Sequence, residues 1–307
     1  MDQANSLRKI IDFKTSQLKK KLSASNTNNN NDNSHHRCAP RVFSITSGKG
    51  GVGKTNIVGN LALAFARLNK NVLILDADLG LANIDIIFNI YPKYNIWHVI
   101  NGHKELSEII VDGPEGIKII PAGSGFADLT NLTEGQKLNL LNEFEILDNF
   151  VDILLIDTGA GISSNVLYFN IAADECIVVA TPEPTSITDA YAMIKVMATQ
   201  HSMKYFKLLV NMANSENEAK SVYLNLNRVC NRFLTNVLID YIGFILNDKL
   251  IKNAILNRKT VMHLYPHAKS SKNIKQLAVN ILGSRRRINS DGNIKFFFNR
   301  YISSMIN

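Results

Sequence analysis

What the sequence is short of narrows it first. It has only three cysteines in 307 residues, Cys38, Cys176 and Cys230. They are widely spaced and form no C-x-x-C pair, which argues against a disulfide framework or a zinc site and fits a reducing compartment. No apolar run approaches the roughly 18–20 residues of a membrane-spanning helix. The first residues, Met1-Asp-Gln-Ala-Asn-Ser-Leu-Arg8, lack the apolar core of an export signal, so a cytoplasmic chain is expected. No repeat of fixed period is visible. Acidic residues are scarce at one end, where residues 249–307 hold twelve Lys/Arg against Asp291 alone.

The hydrophobic content, 46%, is ordinary for a chain that buries a core, and the length suits one large α/β domain or two smaller ones. The net charge of +8 belongs to the ends. Residues 1–40 carry +4 and residues 249–307 carry +11, which leaves the middle at −7. Basic ends suggest an acidic partner surface, anionic lipid or nucleic acid; a solvated periphery is the plainer alternative.

Residues 1–22 set Leu7, Ile10, Ile11, Phe13, Leu18 and Leu22 on a basic background, with Leu7, Ile10 and Ile11 at helical spacing. Residues 23–39, SASNTNNNNDNSHHRCA, are polar and of low complexity, and read as a linker. Between residues 40 and 283, apolar strand-like runs alternate with helix-like segments. The strands expected are Val42–Thr46, Val72–Asp76, Ile117–Pro121, Asp152–Asp157, Glu175–Thr181, Phe206–Asn211 and Ile239–Ile245, with helices near 54–68, 134–147, 164–171, 186–200, 216–234 and 249–257. Continuously apolar strands between helices indicate a single α/β domain, a mostly parallel twisted sheet covered on both faces. Ligands of such sheets bind at the carboxyl ends of the strands.

Three stretches supply chemistry there. Ser47–Asn56 reads SGKGGVGKTN, in which Gly48, Gly53, Lys54 and Thr55 satisfy the phosphate-loop pattern G-x-x-x-x-G-K-[ST] between a strand and a helix. Backbone N–H groups along Gly48, Lys49, Gly50, Gly51, Val52, Gly53, Lys54, Thr55 and Asn56 can cradle phosphate oxygens at the positive helix end. Lys54 supplies a point charge for the β- and γ-phosphates, and the Thr55 hydroxyl can ligate Mg²⁺. Two apolar strands run into carboxylates, Val72-Leu-Ile-Leu-Asp76 and Asp152-Ile-Leu-Leu-Ile-Asp157. That is the Walker B arrangement, which sets an acid beside the metal of a bound nucleotide.

Lys49, directly after the first glycine, turns the loop into K-G-G-V-G-K-T, which resembles the deviant Walker A motif of the ParA/MinD family of dimeric ATPases. Asp76-Ala-Asp-Leu-Gly-Leu-Ala-Asn-Ile-Asp85 resembles that family's switch I, Asp157-Thr-Gly-Ala-Gly-Ile162 its switch II, and Thr181-Pro-Glu-Pro-Thr-Ser-Ile-Thr-Asp-Ala190 the segment after the next strand. The resemblance spans about residues 41–282. It implies ATP and Mg²⁺ as cofactors and an ATP-dependent homodimer. Lys49 would reach the partner's nucleotide while Lys54 serves its own. Thr55 would ligate the metal, with Asp157 supporting it through water. Asp78 would position the attacking water, and Asn211 would contact the adenine.

Asp2-Gln-Ala-Asn-Ser-Leu-Arg8 resembles the D-Q-A-x-x-L-R motif of the family's flagellar-number regulators, the FlhG branch. In that branch the motif stimulates FlhF, a signal-recognition-type GTPase. Asp2, Gln3, Ala4, Leu7 and Arg8 are the residues the resemblance marks for partner binding. At the other end, residues 284–307 are a basic stretch followed by an apolar helical face. Ile294, Phe297, Phe298, Tyr301, Ile302 and Met305 fall at i, i+3, i+4, i+7, i+8 and i+11. Such a face, with Arg285, Arg286 and Arg287 before it, suits anionic headgroups and resembles the membrane-targeting helix of the family; docking on the protein's own core is the alternative. The reading is therefore a slow, partner-regulated ATPase that switches flagellar number or placement at the inner face of the membrane. Flagellar switch components and a flagellar transcription activator are further partners it allows. A partition ATPase binding DNA non-specifically is the alternative that the two termini argue against.

Overall fold

The computed structural model describes residues 40–78, 83–121, 143, 144, 147 and 150–284. The N-terminal segment, the linker, the C-terminal helix, positions 79–82 of the switch I stretch and most of the helix expected at 134–147 lie outside the described residues.

The strands are β1 (Arg41–Ser47), β2 (Val72–Ala77), β3 (Val111–Asp112), β4 (Lys118–Pro121), β5 (Ile153–Ala160), β6 (Glu175–Ala180), β7 (Tyr205–Ala213) and β8 (Leu238–Leu246). They form one sheet in the order β3-β4-β2-β5-β1-β6-β7-β8, parallel except for the two-residue edge strand β3, which runs antiparallel to β4. The helices are α1 (Lys54–Ala66), α2 (Ile84–Phe88), α3 (Ile96–Ile100), α4 (Leu106–Ile109), α5 (Ser164–Ala172), α6 (Pro184–His201), α7 (Glu216–Phe233), α8 (Lys249–Leu256), α9 (Val261–Leu264) and α10 (Lys269–Gly283).

Strand alternation assigns the two faces. Phe43 and Ile45 of β1 and Ile74 of β2 face α1, α9 and α10, where Ile57, Leu61, Phe65, Met262, Ile274 and Leu277 close one core. Phe43 and Phe65 stack with ring centroids 6.5 Å apart. Leu73, Leu75, Leu154 and Ile156 point the other way onto Ile96, Leu106 and Phe169, and the layer continues under α6 and α7 through Met193, Met197 and Leu226. Helix α1 is apolar nearly all round because it is buried from Ile57 to Phe65. Its one buried polar side chain within that run, Asn60, is satisfied: Nδ2 donates to Asn56 O at 2.8 Å, and Oδ1 accepts from Met262 N at 3.0 Å. Among the described residues no helix is long and apolar enough to cross a membrane.

All seven expected strands are present, and two of them run two or more residues past their expected carboxyl ends. β5 continues three residues past Asp157, because β1 keeps pairing as far as Ser47↔Ala160 and Gly161 N donates to Ser47 O at 2.9 Å. β7 likewise runs past Asn211 to Ala213. Helix α10 is absent from the expectation, since KSSKNIKQLAVNILG opens with two serines on its buried side. Both are held by hydrogen bonds, Ser270 Oγ to Asp248 Oδ2 at 2.8 Å and Ser271 Oγ to Tyr265 O at 2.7 Å. α10 also covers the outer edge of β8, where Asn280 Nδ2 donates to Ile242 O and Asn273 Oδ1 accepts from Leu246 N. That satisfies edge backbone groups that would otherwise invite another strand.

At the amino ends of the strands lies a buried ionic cluster. Arg41 donates to Glu175 Oε1 at 2.6 and 2.9 Å and to Ile281 O at 2.9 Å. Lys207 Nζ stands 3.3 Å from Glu175 Oε2 and donates to Ser284 Oγ at 3.1 Å. Glu175 and Lys207 are 2% and 4% exposed, so neither charge has water as a substitute partner. Replacing Glu175 by Ala leaves that lysine buried beside Arg41, and a loss of about 3–5 kcal/mol is expected in urea unfolding. A loss below about 1 kcal/mol would mean that the cluster is not the clasp the geometry describes.

Candidate nucleotide site

The loop between β1 and α1 is shaped by its glycines at two points where no other residue fits. Gly51 and Gly53 have φ of 79° and 90°, in the left-handed region that side chains disfavour. Gly48 is constrained by contact instead, because a Cβ there would stand 2.2 Å from the carbonyl oxygen of Asp189 in α6. Gly53 caps α1, whose first turn has no acidic residue to compete for an anion.

Two side chains brace the loop from below. Ser47 Oγ donates to Lys49 O at 2.7 Å and accepts from Lys54 Nζ at 2.9 Å. Asn211 Nδ2 donates to Val52 O at 2.7 Å, while its buried Oδ1 has no hydrogen-bond partner. Asn211 therefore touches the loop itself, a role the sequence pattern does not reveal.

Below the loop lies a cluster of buried carboxyl groups. Asp76 and Asp157 are register partners on the adjacent strands β2 and β5, and both are buried. Desolvation, with the charge of Asp76 beside it, pushes Asp157 up to about 8, against the pull of Thr55 and Lys54. Burial likewise raises Asp76 to about 7, although it accepts long hydrogen bonds of 3.4 Å from Ile84 N and Asp78 N. Lys54 is buried too; desolvation holds its ammonium below the usual lysine range, opposed by Asp157 and Asp78. Thr55 is close enough to weigh on Asp157, yet neither carboxylate oxygen of Asp157 has a full hydrogen-bond partner. Asp78 lies at the mouth, with Oδ1 3.6 Å from where a Cβ on Gly159 would be. Orphaned carboxylate oxygens beside a hydroxyl are hard oxygen donors, which fits Mg²⁺ held largely by water and phosphate oxygens. Among the described residues no group of three or more His, Cys, Asp or Glu is placed to hold a metal by itself.

Lys49 stands apart from Lys54. Its Nζ is bonded to Glu183 Oε2 at 2.6 Å and to Thr185 Oγ1 at 3.0 Å, both at the start of α6. The two side chains of the ion pair are 38% and 63% exposed. Ser47, Asp76, Glu183 and Thr185 are site residues that the motif leaves unassigned. Only Asp76, closing an apolar strand, carries a sequence signal for a role.

A loop of this form, over paired carboxylates at the carboxyl edge of a parallel sheet, defines a phosphate-loop NTPase fold. Residues 39–282 match the ParA family model, described as NUBPL iron-transfer P-loop NTPase, and the chain belongs to the ParA/MinD family of P-loop NTPases. It is 40% identical over 262 residues to the antiactivator FleN of Pseudomonas aeruginosa, covering 85% of this chain and 93% of that one. It is 35% identical over 238 residues to the flagellum site-determining protein YlxH of Helicobacter pylori, covering 78% and 80%. Among solved structures it is similar to the septum site-determining protein MinD complexed with Mg-ADP from Pyrococcus horikoshii (TM-score 0.63, 21% identity, covering 79% of this chain and 96% of that one). Cys176 and Cys230 are buried on separate elements, and burial pushes their thiols up to about 12 and 11.

The raised Asp157 gives a pH signature. Its folded-state value lies above the unfolded one, so its contribution is present at low pH and is lost as pH rises through about 8. In the ligand-free chain, Asp157→Asn should therefore stabilise increasingly between about pH 5 and 8, by roughly 1 kcal/mol per unit. Thermal melts across that range check it; a wild-type-minus-variant difference that stays flat would contradict the assignment.

Proposed function

We propose that this chain is an ATP-dependent dimeric switch that hydrolyses ATP slowly and regulates flagellar number or placement. The carrying observation is that one loop holds two lysines in different surroundings. Lys54 is buried over the carboxylates, and Lys49 is at the surface on Glu183 and Thr185. One serves the loop's own nucleotide; the other is free to be re-aimed at a nucleotide held by a second copy. The names of the relatives, FleN and YlxH, support the flagellar setting.

In this reading the backbone N–H groups from Gly48 to Asn56 hold the phosphates, and Gly48 and Gly53 keep the space that their approach requires. Lys54 leaves Ser47 for the β- and γ-phosphate oxygens. Thr55 would hold Mg²⁺ with the support of Asp157, whose orphaned oxygens fit that role. Mg²⁺, when bound, neutralises charge that builds on the phosphates. Asp78, at the mouth, orients the attacking water. Lys49 from the second copy adds the last positive charge, so turnover awaits dimerisation. Asn211, whose Oδ1 is unsatisfied, faces the base. Residues 1–22 act on an FlhF-type GTPase, residues 23–39 tether them to the domain at 40–283, and residues 284–307 attach the dimer to the inner face of the cytoplasmic membrane.

Three variants separate these roles. Lys54→Ala should abolish ATP binding in calorimetry. Lys49→Ala should keep binding within a few fold and lose the ATP-dependent dimer in light scattering. Asp78→Ala should dimerise with ATP and hydrolyse it at least ~10-fold more slowly. Equal dimerisation of wild type and Lys49→Ala would remove the lysine from its role. A GTPase assay of FlhF with the full-length chain and with a peptide of residues 1–21 tests the N-terminus; no stimulation by either returns the reading to a MinD-like ATPase with other partners.

A further inference from the structure

Ser47 closes β1 directly before the phosphate loop, and the pattern G-x-x-x-x-G-K-[ST] gives it no part. It is nevertheless 0% exposed and makes three polar contacts. Its Oγ accepts from Lys54 Nζ at 2.9 Å and donates to Lys49 O at 2.7 Å. Its carbonyl oxygen accepts from Gly161 N at 2.9 Å. One residue thus touches the ammonium of Lys54, the backbone of Lys49 and the segment that follows Asp157.

The two bonds of the hydroxyl differ in what a nucleotide does to them. Lys54 is buried, so the Ser47 oxygen supplies an acceptor that an ammonium shielded from water needs. Phosphate oxygens are charged acceptors and make stronger bonds, so Lys54 exchanges Ser47 for them favourably. The bond to Lys49 O requires no such exchange, because the hydroxyl proton is donated there whatever Lys54 contacts. It fixes the planar peptide between Lys49 and Gly50. Packing does little to hold this stretch. A Cβ on Gly50 would find its nearest atom 3.9 Å away on Ala160, and one on Gly51 would find nothing within 4 Å. Orientation of the loop at Lys49 therefore falls to the hydrogen bond from Ser47.

We propose that Ser47 is a positioning residue, which releases Lys54 to the phosphates while its hydroxyl keeps the backbone of Lys49 aimed for a second copy. The inference rests on the dimeric reading above and names the contact that prepares Lys49 for it. With its carbonyl held, Lys49 moves only its side chain when it leaves Glu183 and Thr185. Ser47 acts through the two lysines.

Ser47→Ala separates the two bonds. Affinity for Mg-ADP in calorimetry, which reports the loop without the ATP-dependent dimer, should stay within about threefold of wild type or tighten, since Lys54 has no bond to give up. ATP-dependent dimerisation in light scattering and kcat should both fall about 10-fold, because the reach of Lys49 is no longer fixed. Hydrogen exchange should quicken at Gly50 and Gly51 and leave the amides of α1 as protected as in wild type. Loss of Mg-ADP affinity in step with kcat, or faster exchange throughout α1, would mean a general structural role and overturn the inference. Dimerisation and kcat equal to those of an active wild type would overturn it too and leave the dimeric reading standing. A wild type that neither dimerises nor turns over with ATP would overturn both.

Discussion

The constraint on which the site depends is a pair of buried carboxyl groups whose charged forms burial disfavours. Register pairing in the parallel sheet sets Asp76 beside Asp157, and the apolar strands that carry them leave no water to solvate either. Lys54 is the cation that desolvation leaves near them. Two raised carboxylates against one depressed lysine is an unfavourable arrangement for the ligand-free protein, since one pKa unit is about 1.4 kcal/mol of differential stabilisation. It becomes favourable when positive charge arrives with a nucleotide. The same strands that build the core thus store the affinity for the ligand, which is why the site lies where β2 and β5 run side by side.

The loop's two lysines divide that labour by burial. Lys54 is buried, bonded to Ser47 and within the electrostatic reach of Asp157 and Asp78. Lys49 is bonded to Glu183 and Thr185 at the surface, where an ion pair contributes about 0–1 kcal/mol. Releasing Lys49 from this pair, as the proposed exchange with a second copy requires, therefore costs little. If the proposed dimer switch uses Lys49, its folding stability is separate from its state, because the contact that changes is the weak one.

Much of this was legible in the chain as letters. Gly48, Gly53, Lys54 and Thr55 announce the loop because only glycine tolerates the left-handed turns and the close approach of α6. The strands are legible because a parallel sheet covered on both faces needs uninterrupted apolar runs. What the pattern missed has a common cause: partners distant in sequence. Asn211 serves Val52 across 159 positions, and Lys49 finds Glu183 134 positions on. Helix α10 hid because its buried face starts with Ser270 and Ser271, whose acceptors lie on Asp248 and Tyr265. Short helices such as α2 and α4, at four or five residues, leave too few turns for a 3.6-residue period to register.

The two edges of the sheet are joined by one helix pair. α1 begins at the phosphate loop and packs along its length against α10, with Ile57, Leu61 and Phe65 in the same core as Ile274, Leu277 and Ile281. α10 ends at Ile281 and Ser284, held by Arg41 and Lys207. A close-packed interior resists small continuous deformation, so a change in how α1 sits over a nucleotide has α10 as its nearest packed neighbour. The cluster that fixes the end of α10 also fixes the start of β1, the strand that carries the phosphate loop. Any adjustment of α1 against that strand therefore bears on the cluster of Arg41, Glu175 and Lys207. The phosphate loop and that cluster are thus joined through contacts formed entirely within a single chain.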